Sequence, residues 1–200
     1  MTMVSAVDHA EAYRSLRDAV SLIDIGQRIE RVLLPGYRLL RVEKPSDSLT
    51  SEIQIFLVND IEASVVYQCT LTVLPLSQYT RPTVLQKKIR CSPEAQHAVA
   101  LDGLINQVCF NYVLTLYDLL VSPDHQKDLT EHRWLRLLSS ALAHGAYVYL
   151  FDNVGGRMQP IPTQAALNEV MDRLWSRSNV PCPITLITKT DVLATEAMAR

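Results

Sequence analysis

The sequence predicts an α+β fold: a mixed, mostly antiparallel sheet with helices on both faces. Three observations carry that reading. Four apolar-rich segments, YRLLRVE, SEIQIFLVND, ASVVYQCTLTVL and VLQKKIRC, follow one another with turn signals at Lys44-Pro45-Ser46-Asp47, Asn59-Asp60 and Pro75 to Pro82, the pattern of an antiparallel meander. Helix and strand patterns then alternate as far as residue 190. The composition, 200 residues with 48% hydrophobic and 20% charged, is that of a single globular domain with a sizeable core. The expected division is a helical region over 1–36, sheet and helices over 37–190, and a tail over 191–200.

Residues 8–33 read as helix, with Tyr13, Leu16, Val20 and Ile23 on one face and Arg14, Arg17 and Asp18 away from it. Gly26 can break this helix, and Pro35-Gly36 ends the region. In the second and third strands Ile53, Ile55 and Leu57 alternate, as do Val65, Tyr67, Cys69, Leu71 and Val73, so each strand should have one buried face. Val84, Leu85 and Ile89 lie in a basic strand that stops at Ser92-Pro93-Glu94. There Ser suits an N-cap, Pro the first helical position and Glu the positive end of the dipole.

A buried central helix should follow. Leu101, Leu104, Ile105, Val108 and Tyr112 fall at helical spacing, and Cys109, Val113 and Leu116 widen the apolar face until it wraps most of the cylinder. It ends near Tyr117, and DLLVSP reads as a central strand. Asp128 and Glu131 suit a capping box for a helix carrying Trp134, Leu135, Leu138, Ala141 and Leu142, which Gly145 stops. AYVYLFD is a strand, Asn153 to Gly156 a turn, and RMQPIPT leads outward. Thr163 caps a last helix with Leu167, Val170, Met171 and Leu174, and PITLITK closes the sheet. Trp134, Leu138, Leu104, Ile105, Val108, Leu119 and Val121 are expected in the core.

A net charge of −2 gives no general attraction to nucleic acid or to an anionic membrane surface. Lys87-Lys88-x-Arg90 lacks the stacking aromatics of a single-strand binder and reads as a protected strand edge. No apolar run is expected to span a bilayer, and MTMVSAVDHAEAYRSLRD lacks the pattern of a secretory signal, so the expected location is cytoplasmic. Cys69, Cys91, Cys109 and Cys182 form no C-x-x-C pair and read as buried free thiols. No metal site is expected. His125 and His132 flank Asp124, Asp128 and Glu131 without the i, i+4 histidine spacing of a helical zinc pair, and read as solvated capping residues. G-x-S-x-G, G-x-x-x-x-G-K-[ST], H-E-x-x-H and G-x-G-x-x-G do not occur. The carboxylate pairs Asp124/Asp128 and Asp152/Asp172 sit where loops and caps routinely place acids.

IRCSPEAQ resembles the fourth strand and following loop of the GNAT superfamily of N-acyltransferases. Ile89, Cys91, Pro93, Glu94 and Gln96 match apolar-x-apolar-x-Pro-Glu-x-Arg/Gln, while Val99 and Leu101 stand where the family has small residues. The order of elements over roughly 50–190 is also similar to the family's. Two departures are an extra helix before the last strand and no strand before the opening helix. The resemblance implies an acyl-CoA cofactor, acetyl-CoA or another, whose pantetheine arm pairs with the strand end. The cofactor-binding residues of an active member would be Ile89, Arg90, Cys91, Gln96, His97 and Ala98. Val99 and Leu101 are expected to crowd the pyrophosphate, which needs close approach to main-chain N–H groups. The tyrosine that often protonates the departing thiolate has no counterpart in Asp128 to His144. His132 and His144 could serve in principle, Tyr147 and Tyr149 on the following strand are poor substitutes, and His97 is the more interesting candidate beside its plainer reading as an exposed first-turn histidine. No catalytic residue is assigned.

Two functions follow. One is a GNAT-like scaffold without a cofactor, acting as a binding or structural component. The other is an acyl-CoA-dependent N-acyltransferase acting on an amine of a protein or small molecule. The run Trp134, Leu137 or Leu138, Ala141 and Gly145, after Tyr117, Asp118, Val121 and Ser122, is similar to a pattern in proteins encoded by tailed bacteriophages, some of them virion-associated. That resemblance implies a place in a virion or another large assembly. A protein partner or self-association is expected, with neither nucleic acid nor membrane as partner. The contact is expected through the helix before Leu33, whose Ile25, Ile29, Val32 and Leu33 exceed what one stripe needs. Deleting residues 1–33 is expected to leave the sheet folded. Further candidate contacts are the PLSQYTRP loop and Trp175 with Met171, Arg173 and Arg177, Trp175 having a core-facing alternative.

Overall fold

The computed structural model describes residues 6–17, 21–45, 50–75, 81–122, 131–151, 158–175 and 184–193. The strands are β1 (Leu22–Asp24), β2 (Tyr37–Pro45), β3 (Ser51–Asn59), β4 (Ser64–Leu74), β5 (Thr83–Cys91), β6 (Asp118–Val121), β7 (Tyr147–Phe151), β8 (Met158–Pro160) and β9 (Ile184–Thr188). They form one sheet in the order β1-β2-β3-β4-β5-β6-β9-β7-β8. Every pairing is antiparallel except β5 with β6. The helices are α1 (Ala6–Arg17), α2 (Ala98–Leu101), α3 (Leu104–Asn106), α4 (Leu114–Leu116), α5 (Glu131–Ala143) and α6 (Gln164–Trp175), with a π-helical stretch Gln107–Val113 joining α3 to α4.

The four-strand meander forms as its alternation and turn residues predict, and β6 is the buried central strand, flanked by β5 and β9. RMQPIPT does not simply lead outward: Met158–Pro160 adds β8 to the free side of β7. Thr163 caps α6 as expected, its hydroxyl oxygen accepting the Ala166 N–H at 3.2 Å. Asp124, His125, Asp128, Asp152, Arg177, Cys182 and the tip of PLSQYTRP lie outside the described residues, as do the side chains of Glu131, His132, Leu174 and Trp175.

β3 and β4 are buried on both faces, not on one. Ile53, Ile55, Leu57, Tyr67, Cys69 and Leu71 face the main core, which also holds Leu104, Val108, Leu119, Val121, Trp134, Leu138 and Ile187. On the opposite face Phe56, Val58 and Val65 join Leu40 and Val42 under Leu16 of α1. A third cluster on that face gathers Leu120, Tyr149 and Leu186, with Val192 and Leu193 of the expected tail packed against it. Strands covered on both sides lose the polar-out half of the alternation.

The N-terminal region departs from a continuous helix. After α1, β1 pairs with Leu40–Val42 of β2, the Ile25 N–H donates to the Leu39 carbonyl at 2.8 Å, and the Asp24 carboxylate accepts the Gly26 N–H at 2.8 Å. The β-branched residues Ile23 and Ile25 gain more from the sheet edge than from a helical face. Ile23 consequently points to solvent, while Ile25 and Ile29 enter the main core.

The central helix is interrupted. Asp102 leaves the helical conformation and Gly103 takes φ +66°, which ends α2 before α3 begins. From Leu104 the chain wraps its apolar side chains as expected: Leu104, Val108, Cys109, Phe110, Tyr112, Val113 and Leu114 are buried. Ile105 is only partly buried, and Leu116 is exposed because the wider π turn rotates the residues after it off a simple 3.6-residue stripe. By length and hydropathy Ala95–Leu116 passes as a membrane span, contrary to the expectation that no segment would, yet here it packs against the sheet as the core helix.

Candidate functional site

The strand end that the sequence singles out is held on one side only. β5 pairs with β6 at Thr83, Val84 and Leu85, and beyond that point Gln86 to Cys91 keeps β4 on one side with no strand on the other among the described residues. A β-bulge lies at this place: Thr70 faces Lys88 and Leu71 faces Gln86, so Lys87 is the extra residue. Bulges bend and twist a strand, and β6, which ends at Val121, runs out beside this one. Beneath this part of β5, Tyr67, Cys69, Gln86, Ile105, Val108 and Cys109 line a space with room for about one water molecule. Burial pushes the Cys69 thiol up to about 11, which opposes the thiolate form that a nucleophile needs.

A second bulge positions the loop after β5. Leu57 faces Tyr67 while Val58 faces Val65, leaving Val66 extra, and the Val66 carbonyl accepts the Ser92 N–H at 2.8 Å. Ser92 is not the helix N-cap. Its hydroxyl accepts the Glu94 N–H at 3.3 Å, Glu94 is still extended, and a 3₁₀ turn Ala95–His97 leads into α2.

This delayed start turns His97 inward. It is 2% exposed, which overturns the reading of a solvated first-turn histidine. Its Nδ1 lies 2.8 Å from the hydroxyl of Tyr37, at the start of β2. Its Nε2 lies 3.3 Å from Glu62 Oε2 and 3.4 Å from Glu94 Oε2. The Gln96 amide donates to Glu94 Oε2 at 2.8 Å. Glu62 is brought in by the β3–β4 turn, where Asn59 Oδ1 accepts the Ile61 N–H at 3.0 Å and the Gly36 carbonyl accepts the Asp60 N–H at 2.8 Å. Gly36, at φ +83°, is required there, since a Cβ would meet Ile61 Cδ1 at 2.6 Å.

The six residues implied for a cofactor are therefore divided. Ile89 and Arg90 are half-buried along the open side of β5, Cys91 is exposed at its end, and Gln96 and Ala98 are exposed at the helix start. Only His97 is buried. Val99 does not crowd this place, being 66% exposed, and Leu101 packs against the core. What occupies the helix start is negative charge, from Glu62 and Glu94. Tyr37 and Glu62 were not legible as site residues, because a turn and a strand start contribute them far from His97 in sequence.

The other candidate acids are engaged elsewhere. The Tyr149 hydroxyl donates to Asp191 Oδ1 at 2.7 Å on the face away from the central helix, and burial together with that bond pushes its phenol up to about 12. Tyr147 has the same strand parity and is exposed. His144 stacks on Phe110 with ring centroids 4.4 Å apart. Two arginines, Arg41 buried and Arg81 partly buried, serve the framework. Arg41 donates to the hydroxyls of Tyr112 and Tyr117, each at 2.9 Å, and also pairs with Glu43. Arg81 donates to the Leu114 carbonyl at the end of the central helix and faces Asp118 at 3.3 Å.

Comparison with known proteins gives no match: no family model, no curated protein and no solved structure is significantly similar to this chain.

Proposed function

We propose that the chain is a binding or structural component built on a GNAT-like scaffold whose acyl-CoA site is degenerate. The observation that carries this is the charge at the helix start. An acyl-CoA pyrophosphate needs open N–H groups and positive potential there, whereas Glu62 and Glu94 present two carboxylates around His97. The helix behind them is also short, since α2 ends at Leu101, and a short helix sums few peptide dipoles.

The likeness to the family is supported by the meander that ends in β5, the central helix, and β6 returning parallel to β5. Contacts of such a component come from exposed apolar side chains on adjoining loops. Val32, Leu34 and Val99 are exposed, the Arg31 guanidinium links the first loop to the second by donating to the Val99 carbonyl at 2.9 Å, and Ile61 packs over Gly36. The similarity of the Tyr117–Ser122 and Trp134–Gly145 runs to phage proteins favours a larger assembly, such as a virion, as the setting for those contacts.

One observation favours the acyltransferase reading: the β5–β6 ladder ends at Leu85, and along Lys87 to Cys91 no strand lies beside β5 on the side away from β4 among the described residues, which suits pairing with an extended pantetheine arm. Calorimetric titration of the EDTA-treated chain with acetyl-CoA decides between the two. The scaffold reading expects no binding at millimolar cofactor; a micromolar Kd, about 8 kcal/mol of binding free energy, would overturn it.

A further inference from the structure

We propose that His97, Glu62 and Glu94 form a binding site for a divalent first-row transition ion, with Zn²⁺ the tightest of the probes named below. The three ligand atoms, His97 Nε2 and one carboxylate oxygen from each glutamate, lie within 4.8 Å of one another. Metal bonds of about 2.0–2.2 Å set neighbouring ligand atoms of a tetrahedron about 3.3–3.6 Å apart. The separations from Nε2, 3.3 Å and 3.4 Å, fall in that range.

An ion pair without a metal accounts for the cluster less well. Charge-assisted N–H···O bonds are about 2.7–2.9 Å long, shorter than either contact. Moreover, Nε2 has one proton to give and two carboxylates facing it. A cation seated between the three atoms satisfies both carboxylates and the ring nitrogen together.

The surroundings are those of a ligand set held in place. Nδ1 of His97 lies 2.8 Å from the Tyr37 hydroxyl; with a metal on Nε2 the ring proton sits on Nδ1, and the phenol oxygen is placed to accept it. The Gln96 amide holds the Glu94 carboxylate in the same way. His97 is buried while both glutamates reach solvent, so ions have access and water can complete the shell. One imidazole and two carboxylates suit Zn²⁺ and Mn²⁺ better than a purely oxygen-bound ion such as Ca²⁺. The site spans β2, the β3–β4 turn and the loop after β5, so occupancy should clamp these three segments.

The test is calorimetric titration of the metal-stripped full chain with Zn²⁺ and, separately, Mn²⁺, alongside Glu62→Gln, Glu94→Gln and the double variant. One Zn²⁺ per chain is expected. Each single change should weaken binding by about 10-fold or more, and the double change should abolish it, with folding checked by circular dichroism. Absence of binding up to about 100 μM Zn²⁺ overturns the site, as does binding that survives the double change. A readout independent of the variants is the Co²⁺ absorption spectrum of the wild-type chain. Weak visible bands without a thiolate charge-transfer band support nitrogen and oxygen ligation, and a strong thiolate band overturns it. These titrations contain no acetyl-CoA, so their failure leaves the scaffold reading standing.

Discussion

The hydroxyl of Tyr37 lies 2.8 Å from Nδ1 of His97, a contact that spans 60 positions of sequence and ties the first residue of β2 to the helix start. Because His97 is buried, that nitrogen has little access to water. Tyr37→Phe removes the partner and keeps the ring. The expected loss is about 1–3 kcal/mol, the cost of a buried polar atom left unsatisfied. Urea unfolding of the two chains measures it, and an unchanged midpoint would mean that Nδ1 finds another partner.

Much of the frame was legible because it depends on local pattern. The meander, the central strand at DLLVSP and the Thr163 cap follow from alternation, bounding prolines and N-cap chemistry, each acting within a few residues. The cluster around His97 depends instead on two β-bulges and a turn that bring together residues 37, 62, 94 and 97. Bulges leave little trace in alternation, since an extra Val66 or Lys87 reads as one more strand residue. The region after α1 was misread for a related reason: Ile25 and Ile29 fit a helical stripe as well as they fit a strand edge and turn, and tertiary contacts decide between them.

The buried face of the central helix gives a contrast within one element. Leu104 is fully buried among core residues, whereas Leu116, on the same helix, is exposed. Leu104→Ala is expected to cost about 2–5 kcal/mol through lost burial and the cavity it leaves. Leu116→Ala should stay within about 0.5 kcal/mol. Equal effects in chemical denaturation would show that the π segment does not orient the helix as described.

Arg81 and Asp118 make a sharper case. The Asp118 carboxylate is buried and its charge partner among the described residues is Arg81, at 3.3 Å. Removing the guanidinium with Arg81→Ala leaves an uncompensated buried charge and frees the Leu114 carbonyl at the helix end. About 3–5 kcal/mol should be lost. Adding Asp118→Asn should restore part of this; if the double variant is as unstable as the single one, the helix-end contact and not the charge is responsible.

Acid should weaken the attachment of α1. The Asp60 carboxylate accepts two hydrogen bonds from Arg38, at 2.5 and 2.8 Å, and one from the Tyr13 hydroxyl of α1 at 2.8 Å. The Arg38 guanidinium holds this carboxyl below the usual value, outweighing the opposing effect of burial, and the Tyr13 bond acts in the same direction. Such a group binds protons less readily when folded than when unfolded. Its stabilisation is therefore complete above the ordinary carboxylate range near about pH 4, and is lost as pH falls through it toward the folded value. The stability difference between the wild-type chain and Asp60→Asn should shrink steadily between pH 5 and pH 2, within about that range. A difference independent of pH in urea titrations would show that Asp60 contributes by shape alone.

The N-terminal region should prove indispensable to folding, contrary to the expectation that residues 1–33 form a detachable contact element. Ile25 is 0% exposed and Ile29 2% exposed, both in the main core, and β1 extends the sheet beside β2. Each buried isoleucine is worth about 2–5 kcal/mol against truncation. Removing both, along with the β1 pairing, approaches the whole stability of a domain, about 5–15 kcal/mol. The same deletion strips α1 from Leu40, Val42, Phe56, Val58 and Val65, leaving an apolar sheet face in water. A chain lacking residues 1–33 should therefore show no native near-ultraviolet dichroism and should sediment as aggregate. A chain lacking only residues 1–20 keeps Ile25, Ile29 and β1, and should retain a cooperative transition while associating through the uncovered face. If the longer deletion unfolds cooperatively at the wild-type urea midpoint, the N-terminal residues are an appendage after all, and the partner-binding role expected of them from sequence becomes the better account.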